Sequence, residues 1–163
     1  MRVFKYVILM AVLSAILYGA SGEVQITADK FEADEKSQKS VFIGHVSMKK
    51  GNDELNATKI IVLFDSNRKP LRYEAIGNAS FVLHMRNGQI YIGSANRLIY
   101  LPAEEIYQLF GHVVLKEPLL DRTVMGEKVV VERKSGKARV EGSGDRPVKF
   151  IFKIEERNAS KNR

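Results

Sequence analysis

The sequence predicts an all-β protein: antiparallel hairpins stacked and bent into two facing sheets, jelly-roll-like or solenoid in form. Three observations predict it. Glycine recurs inside alternating apolar segments at near-constant spacing, a small-polar-cation signature recurs between those glycines, and the connectors read as hairpin turns. No segment after residue 22 sustains a helical period.

FIGHVSMKK from Phe42, AIGNASFVL from Ala75 and LFGHVVLKE from Leu109 align on Gly44, Gly77 and Gly111, 33 and 34 residues apart. A degraded copy, VEGSG, puts Gly142 another 31 residues on. Self-similarity at a fixed period marks a stacked architecture. Two positions before each glycine stand Phe42, Ala75 and Leu109; two after, Val46, Ala79 and Val113; four after, Met48, Phe81 and Leu115. A period of two places these on one strand face, with His45, Ser47, Asn78, Ser80 and His112 on the other. Glycine inside such a strand marks a sharp bend or a close backbone approach, so evenly spaced glycines predict strands that turn a corner together.

The second signature reads ADKFEAD from Ala28, ATKIIVLFD from Ala57, ANRLIYL from Ala95 and GEKVVVE from Gly126. Its small residue faces inward, yet the next inward bulk lies three positions on, at Phe31, Ile60, Leu98 and Val129. A step of three in a period of two flips parity and predicts a β-bulge or bend in every repeat. Lys49–Asp53, Asp65–Pro70, Arg86–Gly88, Leu101–Glu105 and Arg133–Gly136 are the turns, rich in residues that accept positive φ or hydrogen-bond their own backbone.

Before this β region, residues 1–22 combine Arg2 and Lys5, an apolar run from Tyr6 to Tyr18 and then small residues, the layout of a secretory signal with cleavage before Glu23. The run is short of the ~20 residues that span a bilayer. The expected organisation is therefore a signal peptide (1–22), one β domain (23–154) and a flexible polar tail (155–163). Removing residues 1–22 leaves 24 Lys+Arg against 19 Asp+Glu, a modest excess that suits an anionic partner. There is no cysteine, which excludes a disulfide framework and thiolate chemistry.

Catalysis finds little support. His45 and His112 occupy equivalent repeat positions, which argues for a structural role, since a catalytic group is needed once. With His84 they show neither H-x-H nor H-E-x-x-H spacing, so no zinc site, cofactor or enzyme activity is expected. A pI near 9.6 without a stacking platform or a clustered basic stripe does not make a nucleic-acid binder.

The predicted ladder ends in unprotected edges. Val24, Ile26 and Ala28 alternate inward at one end, and Val148, Phe150 and Phe152 share a face at the other. Such edges invite strand addition by another molecule. Between them the inward positions mix large residues with Ala28, Ala57, Ala75, Ala79 and Ala95. That mixture fits a dry interdigitated core, and equally two splayed sheets with a trough for hydrocarbon.

The order I-x-ADK, F-x-G-x-V, ATK, G-N-A-x-F, G-H-V-x-L, GEK and a final PVKF strand, from about Glu23 to Lys153, resembles LptA-type proteins of the OstA-like superfamily. The resemblance implies a twisted β-jelly roll acting as a periplasmic, non-enzymatic carrier of lipopolysaccharide. It also implies head-to-tail self-association and partners of the inner-membrane LptC-like and outer-membrane LptD-like kinds. On that resemblance the acyl-chain contacts are Val24, Ile26, Phe42, Phe81, Tyr100 and Leu115. Lys30, Lys59, Arg97 and Lys128, the cations of the second signature, are candidates to pair with lipid A phosphates near the groove mouth. Val24, Gln25, Ile26 and Thr27 would pair with an upstream sheet, and Val148, Lys149, Phe150 and Ile151 with a downstream one. An LptC-like paralogue that keeps residues 1–22 as an inner-membrane anchor is the alternative reading. Asn56, Asn78 and Asn158 begin N-x-S/T sequons; Asn158, in a polar tail, is the candidate glycosylation site, and Asn56, beside an inward Ala57, the poorer acceptor.

Overall fold

The computed structural model describes residues 22–155. The expected signal peptide, most of the tail and Asn158 lie outside them. Ten strands run in chain order: β1 (Val24–Thr27), β2 (Lys30–Asp34), β3 (Lys39–Lys50), β4 (Asp53–Phe64), β5 (Pro70–His84), β6 (Ile90–Leu101), β7 (Ile106–Glu117), β8 (Arg122–Glu132), β9 (Ala138–Glu141) and β10 (Lys149–Phe152). All pair antiparallel with their neighbours in one hydrogen-bonded sheet. The expectation of two facing sheets resolves into a single sheet curled so that each long strand serves both layers.

The corner is built by the glycine repeat. Gly44–His45, Gly77–Asn78 and Gly111–His112 all have positive φ, between 44° and 86°. The β3–β4 register passes from Ile43↔Lys59 to Val46↔Ala57, so two residues of β3 face one of β4. The same shift recurs at Ile76/Ala79 and Phe110/Val113. Each is a bulge that bends its strand and increases its twist. The extra residue thus sits on the glycine strand, and the small-polar-cation strand bends opposite it. Histidine and asparagine follow the glycines because they are among the non-glycine residues most at home in the left-handed region.

Each glycine is covered by the polar member of the second signature on the preceding strand. A Cβ on Gly44, Gly77 or Gly111 would come within 3.0 Å of Asp29, Thr58 or Asn96, respectively. Thr58 Oγ1 donates to the Gly77 carbonyl at 3.2 Å, Asp29 lies 2.7 Å from His45 Nδ1, and Asn96 lies 3.2 Å from His112 Nδ1. Hydrogen bonding to the Asp29 carboxylate raises the His45 pKa above its ordinary value.

Where the fourth bend would fall, the strand breaks. β9 pairs with the second half of β8 and β10 with the first. β1 and β2 divide β3 in the same way. Both edges of the sheet are therefore two short strands around a corner. The sequence-predicted turns are all present; those at residues 35–38 and 118–121, the latter a 3₁₀ turn at Pro118–Leu120, lack a strong sequence signal.

The corner separates a first half-sheet (β1, residues 46–50, 53–57, 79–84, 90–95, 113–117 and 122–126, and β10) from a second (β2, the other halves of β3–β8, and β9). Their facing surfaces form one core that includes Val46, Leu55, Ile60, Phe81, Leu98, Leu109 and Val129. Ala57, Ala79 and Ala95 are buried beside the bulges at the corner.

Candidate functional site: an apolar row on each half and a polar seam

The register aligns inward side chains into rows that cross the whole sheet. On the first half the row is Ile26–Met48–Leu55–Phe81–Gly93–Leu115–Val124–Phe150. On the second it is Phe31–Phe42–Ile60–Ala75–Leu98–Leu109–Val129–Val140. No charged or hydrogen-bonding side chain interrupts either row. Eight strands at about 4.8 Å spacing make each roughly 34 Å long. Gly93 leaves room for the Phe81 ring, since a Cβ there would approach it to 3.0 Å.

The rows are shielded in the middle and open at the ends. Phe81 is 3% exposed, Leu115 2% and Leu109 0%, whereas Phe31 is 58% and Phe150 53% exposed. Of the expected acyl contacts, Val24 is exposed and Ile26 and Phe42 are partly so, at the β1–β3 end; Phe81, Tyr100 and Leu115 lie in the closed middle. Tyr100 stacks on Tyr107 at 4.4 Å and neighbours Tyr73 at 6.1 Å. Burial pushes all three phenol pKa values up.

Opposite the corner, turns of the two halves meet in a polar seam. The Arg86 amide donates to the Arg133 carbonyl at 3.1 Å and the Arg133 amide to the Glu105 carbonyl at 2.9 Å, while Arg86 and Glu105 also form an ion pair. Asn87 Nδ2 donates to the Ser135 carbonyl at 2.8 Å and Tyr91 OH to the Gly136 carbonyl at 2.9 Å. Gln89 packs so closely on Gly136 that a Cβ there would stand 1.8 Å from its Oε1, and its Nε2 donates at 2.8 Å to the buried Glu117. Asp53 accepts from the His84 amide at 2.7 Å and lies 3.8 Å from Arg133. These bonds close the side of the roll along β5–β8. Among the described residues, no hydrogen bond or ion pair joins the 51–52 turn to the 35–38 or 65–69 turns.

The four signature cations are brought together, but on the opposite face from the apolar rows. Lys30, Ile43, Lys59, Ile76, Arg97, Phe110, Lys128 and Glu141 form one outward row, with a cation on alternate strands. Three of them have protein carboxylates as partners: Lys30 with Glu32, Arg97 with Glu74 at 2.5 Å, and Lys128 with Glu141 at 3.5 Å. The Arg97 guanidinium also lies 5.5 Å from the Phe110 ring centroid. Together with Arg72, which pairs with Glu74 at 2.8 Å, it flanks Ile99, buried to 6% exposure on this outer face. Sequence reasoning missed the seam altogether, because its partners are as far apart as Asn87 and Ser135.

The two edge segments stand at the ends of the sheet. Val24–Thr27 pairs only with β3 and Lys149–Phe152 only with β8, leaving the other side of each strand without a protein partner among the described residues. Val148, Phe150, Ile151 and Phe152 are all exposed.

The fold is thus a β roll with a backbone corner on one side, a polar seam on the other and apolar rows reaching both edge strands. The chain is a member of the LptA/(LptD N-terminal domain) LPS transport protein family, whose model matches residues 25–137. Among solved structures it is similar to LptH, described as the LptA-homologous periplasmic component of the lipopolysaccharide transport device of Pseudomonas aeruginosa. The TM-score is 0.71 and the identity 16%, over 82% of this chain and 96% of that one. No curated protein matches the chain in sequence. No helix among the described residues is long and apolar enough to cross a membrane.

Proposed function

We propose that this protein is a periplasmic carrier that takes the acyl chains of lipopolysaccharide between its two half-sheets. It passes lipid from the inner to the outer membrane within a head-to-tail assembly flanked by LptC-like and LptD-like partners. The observation that carries this reading is the pair of unbroken apolar rows, each running from one exposed edge strand to the other. Burying acyl carbons gains about 0.8 kcal/mol per CH₂, so hydrocarbon crosses an aqueous compartment only against such surfaces. Because the middle of the rows is closed on itself, entry requires the halves to part. The corner is continuous backbone and acts as the hinge; the seam, built of partly solvated polar bonds each worth about 1 kcal/mol, is the side that yields.

Self-association follows from the edges. β10 of one copy would extend onto β1 of the next, joining Phe150 and Phe152 to Val24 and Ile26 so that the rows continue across the junction. The test is photo-crosslinking in lipopolysaccharide-producing cells, with the reactive residue at Ile26 or Phe81 and, as outward controls, at Ser80 or Ile92. Adducts with lipopolysaccharide are expected at the inward positions alone. Adducts at neither inward position, in cells and with purified lipid, would remove the carrier reading.

A further inference from the structure

The seam ends at a cavity of about 260 Å³ lined by Gly22, Lys50, Gly51, Asn52, Asp53, His84 and Arg133. An amphiphile whose tails lie between the halves must keep its head group in water. Along β5–β8 the seam bonds bar the way out, so the head can emerge sideways only on the β1–β4 side, at this cavity. The lining there is cationic. Lys50 has no ion-pair partner among the described residues. Arg133, its side chain 26% exposed, lies 3.8 Å from the Asp53 carboxylate, with Nε donating to the His84 carbonyl at 3.4 Å. The one acidic lining residue, Asp53, is occupied by the His84 amide and by His84 Nδ1 at 3.1 Å. This leaves Lys50 unpaired and Arg133 only distantly paired in a lining whose single carboxylate is already engaged. The signature cations, by contrast, stand on the far face of the sheet.

Resting on the carrier reading above, we propose that this cavity seats the phosphate-type anionic head group of the bound amphiphile, with Lys50 and Arg133 as its ligands. A phosphate here accepts hydrogen bonds from both cations while its acyl chains run into the adjoining rows past Met48 and Leu55. The site therefore fixes which end of the lipid enters and leaves the tails, not the head, inside the closed β5–β8 segment.

The test compares two lipids that differ only in the phosphate, lauroyl lysophosphatidic acid and monolauroylglycerol, titrated calorimetrically into purified protein below their micellar concentrations. The wild type is expected to prefer the phosphate by about tenfold, the value of one or two charge-assisted hydrogen bonds. Lys50→Gln is expected to cut that preference to about twofold while leaving monolauroylglycerol affinity unchanged. Lys116→Gln, on the outer face, should behave as the wild type. Equal affinity for both lipids in the wild type would overturn the proposal. An equal loss in Lys116→Gln would also overturn it, by assigning the preference to overall charge. So would inorganic phosphate binding as tightly as the lysophospholipid, which would make the site one for a free anion. Binding of neither lipid would instead sink the carrier reading, and this inference with it.

Discussion

Gly77→Ala tests the corner on which the two layers depend. The substitution carries two separable costs. Gly77 has φ +86°, where a Cβ costs about 1–2 kcal/mol. The new methyl would also stand 2.7 Å from Thr58 Oγ1 and 2.9 Å from Thr58 Cβ, overpacking of the kind that costs about 1–3 kcal/mol. The expected destabilisation is about 2–5 kcal/mol. Gly88→Ala isolates the first cost, because Gly88 has φ +87° and a methyl added there would meet nothing within 4 Å. Thr58→Gly in the Gly77→Ala background removes the second. Urea unfolding should place the Gly77→Ala midpoint about 1–2 M below the wild type, Gly88→Ala between the two, and a coupling of about 1–3 kcal/mol between positions 58 and 77. If Gly77→Ala costs no more than Gly88→Ala, or Thr58→Gly restores nothing, the close-approach explanation of the repeated glycine is wrong.

Two further predictions concern the edges. His45, its pKa raised by Asp29, should titrate above 6.5 in NMR spectra and return toward that value in Asp29→Asn. Because the folded-state value is raised, the pair's contribution to stability is fully present below 6.5 and is lost as pH rises through the folded value. A His45 titration indifferent to Asp29 would contradict the pairing. Phe150→Asp with Phe152→Asp replaces two side chains that are each 53% exposed, so the folded protomer should change by about 1 kcal/mol or less. Self-association measured by sedimentation should weaken at least tenfold, and unchanged association would remove this edge from the assembly.

The corner was legible in the sequence because its backbone restricts residue identity. Positive φ at two successive positions selects glycine followed by histidine or asparagine, and the covering residue must be small enough to lie on a glycine. The alternation around each glycine likewise marked the inward sets, Phe42–Val46–Met48 and its copies, since a buried face leaves a period of two. The cations were harder to place. Lys59 follows the inward Ala57 by two positions, which in an unbroken strand would put both on one face; the bend between them turns Lys59 outward, onto the row with Ile43 and Ile76. Nor does local pattern reveal that the ADK copy at Ala28 breaks into β1 and β2 while ATK and ANR continue, because the difference lies in having a neighbour on one side only. The seam left no signal at all. Arg86, Asn87, Glu105 and Arg133 read as ordinary turn residues, and only the curl of the sheet brings their turns together.

The central claim, that hydrocarbon lodges between half-sheets that part along the seam, is tested most directly by locking that seam. The chain has no cysteine of its own, so Asn87→Cys with Ser135→Cys supplies a single reversible crosslink in place of the Asn87–Ser135 hydrogen bond. Monolauroylglycerol affinity should fall at least tenfold in the oxidised protein and recover on reduction. Equal affinity in the two states would show that the lipid binds without opening the roll, and would contradict the account.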